Sequence, residues 1–109
     1  MVAPKNGQET GKADAVKVDS KHYSVEFENE KVRILRIKPG PREKSAMHSH
    51  PDGVLVFLTA CDGRFTFPDG KAEEIHANAG DAVWTDATEH LPENLSNQPL
   101  EFILVELKS

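Results

Sequence analysis

The chain reads as an all-β sandwich or barrel. Three features predict this class. Short apolar segments alternate with polar residues, turn residues separate them at regular intervals, and no segment keeps a helical apolar stripe for about ten residues. In order, residues 1–20 are rich in Lys, Gly, Gln and Asp without periodicity and read as a flexible tail, leaving residues 21–109 as the folded domain. Tyr23, Val25 and Phe27 alternate with Ser24, Glu26 and Glu28, the signature of a half-buried strand. Asn29-Glu30 makes a turn, and the β-branched run Val32 to Ile37 is a strand stopped by Pro39-Gly40.

Met47 to His50 gives a further extended piece. Val54 to Thr59 is nearly all apolar and reads as a strand buried on both faces or near the core centre. Asp62-Gly63 signals a tight turn, after which Phe65 and Phe67 alternate with Arg64 and Thr66. Asp69-Gly70 closes a hairpin into Ala72 to Ala77. Ala82 to Thr85, Leu91 to Leu95 and Glu101 to Leu107 supply the remaining strands.

At 109 residues the chain is one domain, large enough for a core without disulfide staples. Its net charge of −5 and lack of a basic run argue against a nucleic-acid surface or an anionic membrane as partner. No run of about eighteen apolar residues is present to span a bilayer. The N-terminal segment lacks the apolar region of a secretory signal, and Cys61 is the lone cysteine, so a cytoplasmic location is expected. Cys61 itself reads as a small buried hydrophobe at a strand end. No serine sits in a Gly-x-Ser-x-Gly elbow and no glycine loop is shaped to cradle phosphate, so covalent hydrolysis and nucleotide chemistry are poor readings.

Histidine placement carries the functional signal. In a strand, residues i and i+2 share a face, so His48 and His50 present two imidazoles to one side. His90, from a separate strand, would supply a third donor of the kind first-row transition metals favour. The plainer reading is three ordinary exposed or hydrogen-bonded histidines. Three neutral donors leave a divalent charge uncompensated, so such a centre would favour an anionic exogenous ligand and keep open positions. His22 and His76 have no partner pattern and read as surface residues.

The residues around these histidines resemble the two sequence blocks of the cupin superfamily. Gly40, His48, His50 and Gly63 match the first block; Gly80, His90 and Asn94 match the second. The resemblance spans about residues 31 to 107. It implies a jelly-roll barrel, or double-stranded β-helix, with His48, His50 and His90 as metal ligands and Asn94 holding a loop. Two departures stand out. Where the family places a glutamate ligand, this chain has Val54, or Leu55 with the longer spacing; the nearest carboxylate, Asp52, reads as a turn former in Pro51-Asp52-Gly53. Asp86-Ala87-Thr88 replaces Pro-x-Gly.

Some cupin-type thiol dioxygenases use three histidines and no carboxylate, so the resemblance implies a mononuclear non-haem metal enzyme of dioxygenase type. A small anionic organic substrate is expected. Iron(II) is the first choice of metal, with Cu, Ni, Zn or Mn as alternatives. A metal-dependent isomerase, lyase or hydrolase and a non-catalytic binding module are the other readings. Phe57, Phe65, Phe67 and Trp84 are the pocket candidates, Trp84 with core filling as its preferred role. Arg33, Arg36 and Arg64 read as solvated strand arginines, any of which could turn inward to a substrate carboxylate. Glu89 or Glu93 could orient the His90 ring. A homodimer is expected.

Overall fold

The structure is a computed structural model and describes residues 13–108. It begins with a four-residue helix, α1 (Ala15–Val18), followed by nine strands: β1 (Tyr23–Glu28), β2 (Val32–Ile37), β3 (His48–His50), β4 (Gly53–Phe57), β5 (Cys61–Thr66), β6 (Ala72–Ala77), β7 (Ala82–Thr85), β8 (Thr88–Asn94) and β9 (Phe102–Leu107). They form two antiparallel sheets. One has five strands in the order β1-β2-β9-β4-β7, and the other four in the order β3-β8-β5-β6. The two-sheet, all-β class expected from the alternating pattern is what forms.

The core lies between the sheets. Leu35 and Ile37 of β2, Leu55 and Phe57 of β4 and Leu104 of β9 are buried together with Tyr23. Cross-strand partners share a face. Leu55 stands opposite Leu104 and Phe57 opposite Phe102, so one face of the larger sheet is a continuous apolar layer. Strand β4 is buried at Gly53, Leu55 and Phe57 but only half-buried at Val54 and Val56. Of the two readings for this strand, a place in the core holds through Leu55 and Phe57, while burial on both faces does not: among the described residues no further layer covers the outer face of this sheet. Gly53 is required by close packing, since a Cβ there would sit 2.4 Å from the Val105 carbonyl oxygen.

Three boundaries differ from the sequence reading. Residues 13–20 are not free tail. Ala15 is fully buried, the Ser49 amide donates to the Ala13 carbonyl at 2.7 Å, and Asp14 bridges to Ser49, so this segment straps β3. Small side chains at Ala13 and Ala15 allow that approach where composition alone suggested solvent. Residues 1–12 of the expected tail lie outside the described residues. Asp62-Gly63 is not a turn but part of β5, where Gly63 pairs with both Ile75 and Asn94. The last strand before Asn94 begins at Thr88 rather than Leu91, which brings His90 into the sheet. Asp69-Gly70 does turn as expected, with Gly70 at φ 87°.

Candidate metal centre

Strands β3 and β8 bring the three histidines together by register. His48 stands directly opposite His90 and His50 opposite Thr88, so alternation puts all three imidazoles on one side of the sheet. All three are buried, and one ligand atom from each lies within 4.8 Å of the others. The rings meet edge to face, His48 to His50 at 4.6 Å and His48 to His90 at 5.0 Å between centroids. Tyr23 packs against His48 and Phe65 against His90.

Hydrogen bonds fix two of the rings. His48 donates from Nδ1 to the Ala46 carbonyl at 2.7 Å, which leaves Nε2 as the lone-pair nitrogen. His50 meets Glu106 Oε2 through Nδ1 at 2.6 Å, freeing its own Nε2 in the same way. His48 Nε2 and His90 Nδ1 are buried and lack a hydrogen-bond partner among the described residues. A buried nitrogen without a partner is costly, so two in one cluster are the feature a metal ion would satisfy. Burial, and then the neighbouring His50, push His48 down to about 4; the same causes, with His48 added, push His90 down to about 3. Both are therefore neutral around pH 7, the form that ligates. The donor set fits a divalent transition ion.

Sequence reasoning missed Glu106. It is 3% exposed on β9, accepts from Arg33 Nε at 2.8 Å and so links His50 to the opposite sheet. Arg33 in turn pairs with Asp14. Arg33 thus faces inward, correcting its solvated assignment, and protein carboxylates already occupy it. Of the two acceptors expected for the His90 ring, Glu93 instead lies 3.8 Å from Arg64. The sequence signal for Glu106 was a lone acid at the end of an apolar strand, two residues after Leu104 on the same face.

The glutamate-equivalent position is also settled by alternation. Val54 pairs with Trp84 and Val105 on the outer side of β4, whereas Leu55 faces inward with Val83 and Leu104. Leu55, not Val54, borders the histidines' cavity. Asp52 is no substitute ligand: its Oδ1 accepts from the Ala87 amide at 2.7 Å, tying the β3–β4 turn to the Asp86-Ala87-Thr88 segment.

A cavity of about 380 Å³ opens between the sheets, bordered by His50, His90 and all four pocket candidates, Phe57, Phe65, Phe67 and Trp84. Trp84 does not fill core. It lies on edge strand β7, is 54% exposed, and donates from its indole nitrogen to Asp86 at 2.8 Å. Cys61 borders the cavity, and burial pushes its thiol up to about 11, so it stays protonated. Asn94 is buried and bonds the Gly40 and Gln98 carbonyls and the Ser96 amide, which holds the loop after β8.

His22 is not a surface residue. It is buried between Asp19 at 2.8 Å and Glu43 at 2.8 Å, whereas His76 is exposed beside Asp62. Arg36 pairs with Glu26 and Glu101 on the outer side of the sheet.

Residues 33–106, most of the chain, match the Cupin domain family. The chain is a cupin. Solved structures agree on the fold. A cupin domain from Bordetella pertussis Tohama I superposes with a TM-score of 0.74 at 21% identity, covering 93% of this chain and 100% of that one. A protein with a double-stranded β-helix domain from Klebsiella pneumoniae gives 0.62 at 20% identity over 78% of this chain and 74% of its own. The polyketide cyclase of Streptomyces resistomycificus gives 0.59 at 15% identity, over 80% of this cupin and 64% of the cyclase. No curated protein matches the sequence. Among the described residues, no helix is long and apolar enough to cross a membrane.

Proposed function

We propose that this cupin is a mononuclear metal protein in which His48, His50 and His90 hold one divalent transition ion at the side of the inter-sheet cavity, and that it catalyses oxygen-dependent conversion of a small organic molecule admitted there. The observation that carries the metal assignment is the pair of partnerless buried nitrogens, His48 Nε2 and His90 Nδ1, inside one three-histidine cluster. Bound there, iron or copper would supply redox chemistry toward oxygen, and zinc would supply Lewis acidity. Iron(II) is the first choice.

The protein's own residues do the rest. His50 is held by Glu106 and His48 by the Ala46 carbonyl, so two donors are oriented before any ligand arrives. Tyr23 and Phe65 pack the cluster and restrict water around it. With Leu55 on the cavity side of β4, no fourth donor joins the three histidines among the described residues, which leaves room for substrate. A second reading, a Lewis-acid cyclase or isomerase, has the same donors and rests on the fold shared with the polyketide cyclase. The exposed Val25 and Phe27 of edge strand β1 are where the expected homodimer would form.

Oxygen uptake by iron-loaded protein over a panel of phenols, enols and thiols tests this function. We expect consumption that is absent from the metal-free protein and from His50→Ala, with metal affinity in that variant reduced at least about tenfold. Tight iron binding with no uptake on any compound would leave a binding module instead. Unchanged metal affinity in His50→Ala would remove the assignment of the donors.

A further inference from the structure

The cavity's chemistry is lopsided. Its deep walls are apolar and come from both sheets: Leu55, Phe57, Phe102 and Leu104 from one, Phe65 and Ile75 from the other. Charge is confined to its more open parts, and it is acidic. Glu73, Asp86 and Glu93 border the space, together with Glu43, which is held by Lys21 and His22, against Arg64 as the one bordering cation among the described residues. Arg64 is already engaged by Glu74 at 3.3 Å and Glu93 at 3.8 Å. Arg33, the inward-facing arginine of β2, is paired with Glu106 and Asp14. A substrate carboxylate or phosphate would find no unpaired guanidinium and would pass an acidic border, where like charges repel.

Of the buried polar groups that border it among the described residues, Tyr23 is bonded to Ser45 and Asn94 to the Gly40 and Gln98 carbonyls, which leaves His50 and His90, with the protonated Cys61 thiol, as those open to a ligand. A ligand must therefore match two things at once: a ring-sized apolar volume and one polar contact at the histidines.

We propose that the cavity takes a ring-bearing apolar molecule with a single ionisable oxygen or sulfur atom and no fixed charge, its apolar body between the sheets and its one polar atom at the histidine cluster. The apolar part of this assignment stands on the lining alone, while the placement of the polar atom rests on the metal reading above. It replaces the expected small anionic substrate with one that is neutral on entry and loses its proton, if at all, only at the centre. Pockets of this volume with few convergent polar groups are the usual form of a small-molecule site.

Calorimetric titration of the full chain, metal-free, with a naphthol and with a naphthalene dicarboxylate of the same ring skeleton tests it. Saturable naphthol binding is expected, with the dicarboxylate weaker by about tenfold or more. Glu73 is exposed, so Glu73→Lys leaves the fold intact and should narrow that gap by strengthening the dicarboxylate. Ile75→Trp, checked for folding by circular dichroism, should abolish naphthol binding by filling the space. Absence of naphthol binding, a dicarboxylate that binds as tightly, or a folded Ile75→Trp that binds unchanged would each overturn the cavity assignment. Zinc loading should then tighten the naphthol but not its methyl ether; equal effects on both would overturn the placement of the polar atom. Since the first titrations contain no metal, their failure leaves the metal centre standing, whereas a chain that binds naphthol but no metal ion loses the proposed function instead.

Discussion

Glu106 ties the histidine cluster to the rest of the molecule. It is an acid buried at 3% exposure, and such a group survives only if paired. Its two oxygens are divided between Arg33 and His50, so one carboxylate neutralises a guanidinium and fixes a ring. Removing it outright would strand the arginine charge. Glu106→Gln keeps the volume and an acceptor but removes the negative charge, and metal affinity measured by calorimetry should fall about ten- to a hundredfold. An unaltered affinity would mean that His50 needs no such partner. Leu55 and Val54 give a paired test at the same scale. Leu55→Glu adds a carboxylate on the cavity side and should tighten zinc or nickel binding, while Val54→Glu, on the outer side, should leave it unchanged. The opposite order would contradict the register described for β4.

At the scale of elements, the short strand β3 depends on what straps it. Three residues make a weak strand alone, yet β3 carries two of the three histidines. Strand β8 holds one edge and residues 13–14 the other. His22 joins two segments, donating from Nδ1 to Asp19 at the helix end and from Nε2 to Glu43 of the loop before β3. Burial alone would lower the His22 pKa, but the hydrogen bonds to Asp19 and Glu43 outweigh it and the pKa is raised; Lys21, bound to Glu43, is the nearby cation. A raised pKa means the folded protein holds its proton more tightly than the unfolded chain. The stabilisation is full below the ordinary histidine value of about 6.5 and is lost as pH rises through the higher folded value. Thermal melts should therefore show stability falling from neutral into mildly alkaline pH, and His22→Gln should flatten that slope. A slope that persists in the variant would place the titrating group elsewhere.

The elements that could be read from sequence are those with a local signature. Alternation gave the extent of β1, although only Tyr23 of its apolar face is buried while Val25 and Phe27 are exposed; the β-branched run gave β2, and Asp69-Gly70 gave its hairpin. The spacing of His48 and His50 implied a shared face because it depends only on the pleat. What could not be read depends on long-range contact. Trp84 looked like core because large apolar residues usually are, but β7 is an edge strand with no further strand beyond it among the described residues. Ala13 and Asp14 looked like tail because their partners, Ser49 and Arg33, are distant in sequence. Glu106 and His22 are buried acid and base whose counter-groups come from other elements, and no single-sequence pattern reports such pairs.

For the whole molecule, the double-sheet arrangement explains why a centre can exist here. The larger sheet supplies the apolar layer and Glu106, and the smaller sheet supplies all three histidines. The cavity between them opens beside the histidine cluster, so a ligand and an ion would meet at the junction of the layers. X-ray absorption on zinc-reconstituted protein measures that claim directly. One zinc per chain with three imidazole nitrogens at about 2.0–2.1 Å, reduced to two in His48→Ala, is the predicted result. A first coordination sphere dominated by oxygen, or one unaltered by that substitution, would contradict it.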